Sequence, residues 1–138
     1  MASAQLQRLE KRLMAIPPAA RAAVVPALTK SADELVGTMQ QLAPEDTGDL
    51  KASIVATPAG QSTPAYSQPG GAAVVPELTV RVTAGNSDVR YPHLQEYGTK
   101  TAKAQPFFWP AFRLKRKRLT NRIKRSISKA VKDAWARQ

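Results

Sequence analysis

One histidine, His93, ten carboxylates and no cysteine are what this chain offers for acid–base, thiolate or metal chemistry. A lone histidine leaves a His-rich zinc site without its second nitrogen ligand, and a cysteine-free chain builds neither thiolate metal sites nor disulfide staples. Glu45, Asp46 and Asp49 cluster in a turn, "APEDTGDL", where helix capping and solubility account for them. Asp33 and Glu34 stand beside a helical apolar stripe and read as solvated. Gly70 and Gly71 lack the lysine and the strand–helix setting of a phosphate loop. No Ser/His/Asp or Cys/His set assembles. Catalysis is therefore the least supported class, and no metal or cofactor is expected.

The chemistry left is that of binding. "YPHLQEYGTKTAKAQPFFWPAF", residues 91–112, holds six of the eight aromatic residues: Tyr91, Tyr97, Phe107, Phe108, Trp109 and Phe112. Four of these rings fall within six positions and cannot all face one small core. Those left outside form an apolar patch of the kind that marks a protein interface. Charge is equally localised. Residues 113–138 carry eleven of the 21 Lys/Arg and one of the ten acids, so nearly all of the +11 net charge belongs to one terminal segment. A block like this calls for a polyanion or an acidic surface nearby. Arg113, Lys115, Arg116, Lys117, Arg118, Arg122, Lys124 and Arg125 could contact DNA phosphates or an acidic partner, Lys129 and Lys132 extending the set. No helix-turn-helix, zinc-finger or aromatic RNA-binding signature accompanies them.

The elements that must position these residues follow from periodicity. Leu6, Leu9, Leu13 and Ile16 recur at helical spacing until Pro17-Pro18 interrupts them. A second helix to about residue 42 has Val25, Leu28, Ala32, Leu35, Met39 and Leu42 as its buried stripe, with Pro26 either kinking it or opening its first turn. Pro44 stops it. A short helical turn at 49–52 and an extended stretch at 53–57 come next. The Gly/Pro/Ser-rich connection at 58–76 is of a length that is usually functional or disordered. "ELTVRVTAG" alternates, with Leu78, Val80 and Val82 inward and Thr79, Arg81 and Thr83 outward, as a half-buried strand does. A short helix follows, opened by Pro92 and stopped by Gly98. The last helix begins near 106–110 and runs to the end, with Phe112, Leu119, Ile123, Ile127, Val131 and Trp135 on one stripe. At about 1.5 Å per residue its roughly 38 Å outruns so small a body, and part of it should project.

The fold class expected is α+β in one domain over 1–138. It has a helical region at 1–42, a small antiparallel sheet of two to four strands with its long loop at 43–105, and a basic helix at 106–138. So small a sheet needs covering by helices or neighbouring subunits. No apolar run approaches the roughly 20 residues that span a bilayer, no signal-peptide layout opens the chain, and no membrane partner is expected; the reading is of a soluble, intracellular protein.

Three phrases in order, "APEDTGDLKASI", "YPHLQEYGT" and "AQPFFWPAF", followed by a long terminal helix, resemble a family of small bacteriophage proteins. These are the head–tail connector proteins of long-tailed phages and prophages, variously called neck, tail-completion or minor tail proteins. The resemblance covers the chain from about residue 20 onward. It implies a non-catalytic virion component at the head–tail junction, assembled in the host cytoplasm as a homo-oligomeric ring, six subunits being preferred and twelve the next choice. Its partners would be connector, tail-terminator or tail-tube proteins, with non-specific contact to packaged DNA through the basic helix. By this likeness Asp46, Thr47 and Gly48 form the turn into the sheet, and Glu96, Tyr97, Gly98 and Thr99 form a second turn. Pro106, Phe107, Phe108 and Pro110 form the entry to the last helix. Together they would fix the angle between sheet and helix, and so the surface offered to adjacent subunits. The alternative function is sequence-independent DNA binding through the basic helix.

Overall fold

The computed structural model describes residues 4, 7–8, 11, 17–44, 48–90, 92–100 and 103–136. The elements in order are α1 (Pro18–Leu42), α2 (Asp49–Ala52), β1 (Val55–Thr57), β2 (Arg81–Thr83), α3 (Pro92–Tyr97) and α4 (Phe108–Ala136). This is the α+β arrangement expected. The apolar stripe proposed for residues 6–16 lies outside the described residues.

Two long helices make the frame. Pro18 sits at the first helical position of α1, where the missing N–H costs nothing, and Pro17 before it is extended. Pro26 lies inside α1 rather than in its first turn, on the exposed side, where water can serve the carbonyl it leaves unpaired. The helix ends where Ala43 turns extended, its N–H bonding to Met39 O. α4, 29 residues long, runs antiparallel to α1. Leu35 and Met39 meet Ala111 and Leu119 at one end, and Ala20 and Val24 meet Ala130 at the other. The long terminal helix therefore does not project alone: α1 lies along it, with Ala20 and Val24 against Ala130, and Arg21 at that end of α1 pairs with Glu77 at 3.1 Å.

The buried stripes differ from expectation in a consistent way. Val24 replaces Val25 in α1, and Val25 and Leu42 are exposed. In α4, Ala111 and Ala130 are buried while Phe112 and Trp135 are exposed. The physical reason is approach distance. Alanine lets two helices close on one another, and the large residues beside it are pushed to the edges of the contact.

The sheet has two strands of three residues, antiparallel, with Val55 opposite Thr83 and Thr57 opposite Arg81. The strand expected from residue 78 starts only at Arg81, because Leu78 adopts a left-handed φ of 56° in a turn. The expected facing also reverses at its end: Thr83, assigned to the outer face, is fully buried. Residues 58–80 are folded rather than loose. Ser62 bridges Val74, Gln68 bridges Ala84, and Thr63 Oγ1 donates to Gly71 O at 2.7 Å while accepting from Ala73 N at 2.9 Å. Thr63, Ser67 and Val75 are buried under this small hairpin. After β2 the chain turns through Gly85, whose φ is 97°. A Cβ there would lie 2.8 Å from Val89 O and 3.0 Å from Pro92 Cγ, so only glycine fits. Ser53 joins this turn to α2, donating to Leu50 O and accepting from Gly85 N.

Candidate functional site

The aromatic segment forms an elbow between α3 and α4. Gly98, with φ of 76°, takes the left-handed conformation that stops α3, as the turn reading requires. The chain then passes the exposed Pro106 and enters α4 at Phe108. A helix start leaves four backbone N–H groups without intrahelical acceptors. Here Glu96, buried at the end of α3, takes three of them. Its Oε2 accepts from Phe107 N at 2.8 Å and Phe108 N at 3.0 Å, and its Oε1 accepts from Trp109 N at 3.0 Å. The fourth position is Pro110, which has no N–H to satisfy. A carboxylate at the positive end of a 29-residue helix is favoured by the helix dipole as well. The whole start of α4 is thereby satisfied by one side chain and one proline.

Around this clamp the rings pack edge to face. Phe107 meets Phe108 at 6.4 Å, Phe108 meets Trp109 at 5.0 Å, and Trp109 meets Phe112 at 6.0 Å between centroids. Trp109 Nε1 donates to Tyr97 Oη at 3.0 Å. The rings do not share one environment. Phe107, expected at an interface, is instead 1% exposed and belongs to the core cluster that also holds Leu35, Met39, Ala84, Ala111 and Leu119. Phe108 is half-buried. Trp109 (37% exposed), Phe112 (38%) and Tyr97 (71%) are open on the outside. Tyr91, Asp46 and Thr47 lie outside the described residues, and Gly48 immediately precedes α2.

The exposed rings continue into an apolar groove. Two adjoining hollows of about 260 and 270 Å3 share Leu35, Val80, Val82 and Phe112 as walls. The side of Val80 and Val82 turned toward the two helices is thus only partly covered, the deficit expected of a sheet this small.

The cations of α4 divide into two sets. Arg118 and Arg122 reach Glu34 Oε1 on α1, at 3.2 and 3.4 Å, and Arg122 also donates to Ser31 Oγ. Glu34 is therefore not the solvated acid that its place beside the stripe suggests. Burial works against its charged form, but the hydrogen bond from Arg122 and the charges of Arg118, Arg122 and Lys115 outweigh it, holding its pKa below the ordinary value. Arg122, expected to contact DNA or an acidic partner, is drawn inward, its side chain 16% exposed. Arg113, Arg116, Lys117, Lys124 and Arg125 stay exposed, Arg116 also forming part of the groove wall beside Phe112. Among the described residues no group of His, Cys, Asp and Glu could hold a metal ion, and no helix is long and apolar enough to cross a membrane.

Glu96 is the residue whose role sequence reasoning missed. Its acceptor groups serve N–H donors 11 to 13 positions later, a separation no local capping pattern covers. The usable signal was negative: "QPFFWPAF" opens a helix without any Ser, Thr, Asp or Asn cap of its own.

No curated protein and no solved structure matches the chain. Residues 7–98 match the family model described as "Bacteriophage HK97-gp10, putative tail-component". That stretch takes in α1, both strands and α3, ending at the glycine that stops α3. With two thirds of its length matched, the chain belongs to the HK97-gp10-like family of bacteriophage tail components.

Proposed function

We propose that this protein is a non-catalytic structural component of the virion. It assembles as a ring at the head–tail junction and joins the capsid connector to the tail. A hexamer is the preferred stoichiometry and a dodecamer the second choice, with connector, tail-terminator or tail-tube proteins as the neighbours along the axis. The observation that carries this reading is the outward half of the elbow. Trp109, Phe112 and Tyr97 lie exposed beside a partly open apolar groove, on a body whose sheet has only two short strands. Exposed rings continuous with a concave apolar surface favour burial against another protein. A head-to-tail ring needs two different patches on each subunit. Tyr66 and Val74, both exposed on the 58–80 hairpin, are candidates for the second, the Arg90 guanidinium lying 3.8 Å over the Tyr66 ring.

The test is assembly itself. Electron microscopy and light scattering of the purified protein, alone and mixed with connector and tail proteins, should reveal rings or ring-bearing complexes. Replacing Trp109 and Phe112 by Ser should abolish them while the circular dichroism of the helices persists. A wild-type monomer that joins none of those partners would overturn the reading.

A further inference from the structure

We infer that the outer ridge of α4 is a docking site for the phosphate backbone of duplex DNA, separate from the cations that hold α4 to α1. A shallow recess on that ridge is lined by Arg113, Arg116, Lys117, Thr120, Asn121 and Lys124. Four are cations and the other two carry a hydroxyl and an amide. These are the side chains that contact phosphate oxygens. The recess has no apolar or acidic member, whereas the core of a protein–protein contact is apolar and poor in lysine. This composition favours nucleic acid over an acidic protein as the occupant.

The placement supports the same conclusion. Lys115, Arg118 and Arg122 direct their charge at Glu34, so the fold uses them. Among the described residues no carboxylate pairs with Arg113, Arg116, Lys117 or Lys124. The acid in residues 113–138, Asp133, lies nine positions beyond Lys124, more than two helical turns away. Arg113, Lys117 and Lys124 follow one side of the helix, spanning about 16 Å at 1.5 Å per residue. Over that span one DNA strand presents about five phosphates, at roughly 3.4 Å of axis each. The cation density therefore suits a strand tracked lengthwise along the ridge. The contact is made to the phosphates of a strand lying along the ridge, so no sequence preference is expected.

This inference goes beyond assembly and does not need a ring. The experiment is fluorescence anisotropy of the full-length protein with labelled duplexes of two unrelated sequences, between 50 and 200 mM salt. With about four phosphates neutralised, log K should fall against log[salt] with a slope of roughly −3.6, a loss of about 100-fold over that range, equally for both sequences. Several copies on one duplex would steepen the slope. Arg113→Gln with Lys117→Gln and Lys124→Gln should remove about 2.7 of the slope per copy. Arg122→Gln should leave it unchanged while lowering thermal stability. Absence of binding at 50 mM salt, a slope indifferent to the triple substitution, or polyglutamate bound as tightly as DNA for equal charge would each overturn the inference.

Discussion

Glu96 shows how much one side chain can hold. Its carboxylate accepts three backbone N–H bonds at the start of α4, and its replacement by Ala leaves one of those donors, Phe107 N–H, buried and the other two part-buried. The expected cost is about 3 kcal/mol, the scale of a lost charged hydrogen-bond set with buried donors left behind. Glu96→Gln should fall between, because its amide nitrogen cannot accept. Urea denaturation measures both, and a loss under about 1 kcal/mol for Ala would show that the clamp contributes little. Thr83 gives a change of opposite sign. Its Oγ1 is buried beneath the sheet with no hydrogen-bond partner among the described residues. Thr83→Val keeps the shape, removes the unsatisfied hydroxyl and should raise stability by about 1 kcal/mol, read as an increase in Tm. Neither residue could have been singled out from the sequence. Thr83 stands on the polar side of a clean alternation, and its burial is evident only in the folded chain.

At the scale of elements, the two long helices were legible because their apolar residues repeat every three or four positions, and prolines and glycines mark the breaks. The membership of the contact was not. Ala32 is buried as its place in the stripe requires, but alanines at 20, 111 and 130 occupy buried positions that a reading weighted toward large side chains passes over in favour of Val25, Leu42, Phe112 and Trp135. The hairpin at 58–80 was illegible for another reason. Its order comes from backbone bonds and buried Thr63 and Ser67 rather than from an apolar pattern. The ion pairs between the helices yield a prediction in pH. Since the Glu34 pKa is lower in the folded protein than in the unfolded chain, its contribution is complete above the ordinary carboxylate range. It is lost as the pH falls through the lowered folded value. The Tm difference between wild type and Glu34→Gln should therefore be constant near neutral pH and shrink on acidification below about pH 4. A difference that does not change between pH 7 and 3 would show that the Arg118–Glu34–Arg122 cluster leaves α1 and α4 no better joined.

For the whole molecule, surfaces of different character adjoin. Exposed rings line the apolar groove, Arg116 and Thr120 stand on the boundary between that groove and the cationic ridge of α4, and the hairpin exposes Tyr66 and Val74. If the hairpin supplies the complementary patch of a ring, Val74→Asp should halt assembly at monomers or short open oligomers, with Tm unchanged because Val74 is exposed. Sedimentation velocity at several concentrations would register it, and rings forming as before would assign the complementary patch elsewhere. One consequence of the Glu96 clamp reaches furthest from its own position. The helix it starts is about 43 Å long at 1.5 Å per residue, with the clamp as the pivot at one end and the packing against α1 fixing the direction. A tilt of about 3° at that pivot swings the far tip by about 2 Å, roughly half the spacing between packed atoms that a snug fit demands. Copies in which the clamp and α1 together fix that direction would present their tips at one common pitch, and loosening both would scatter them.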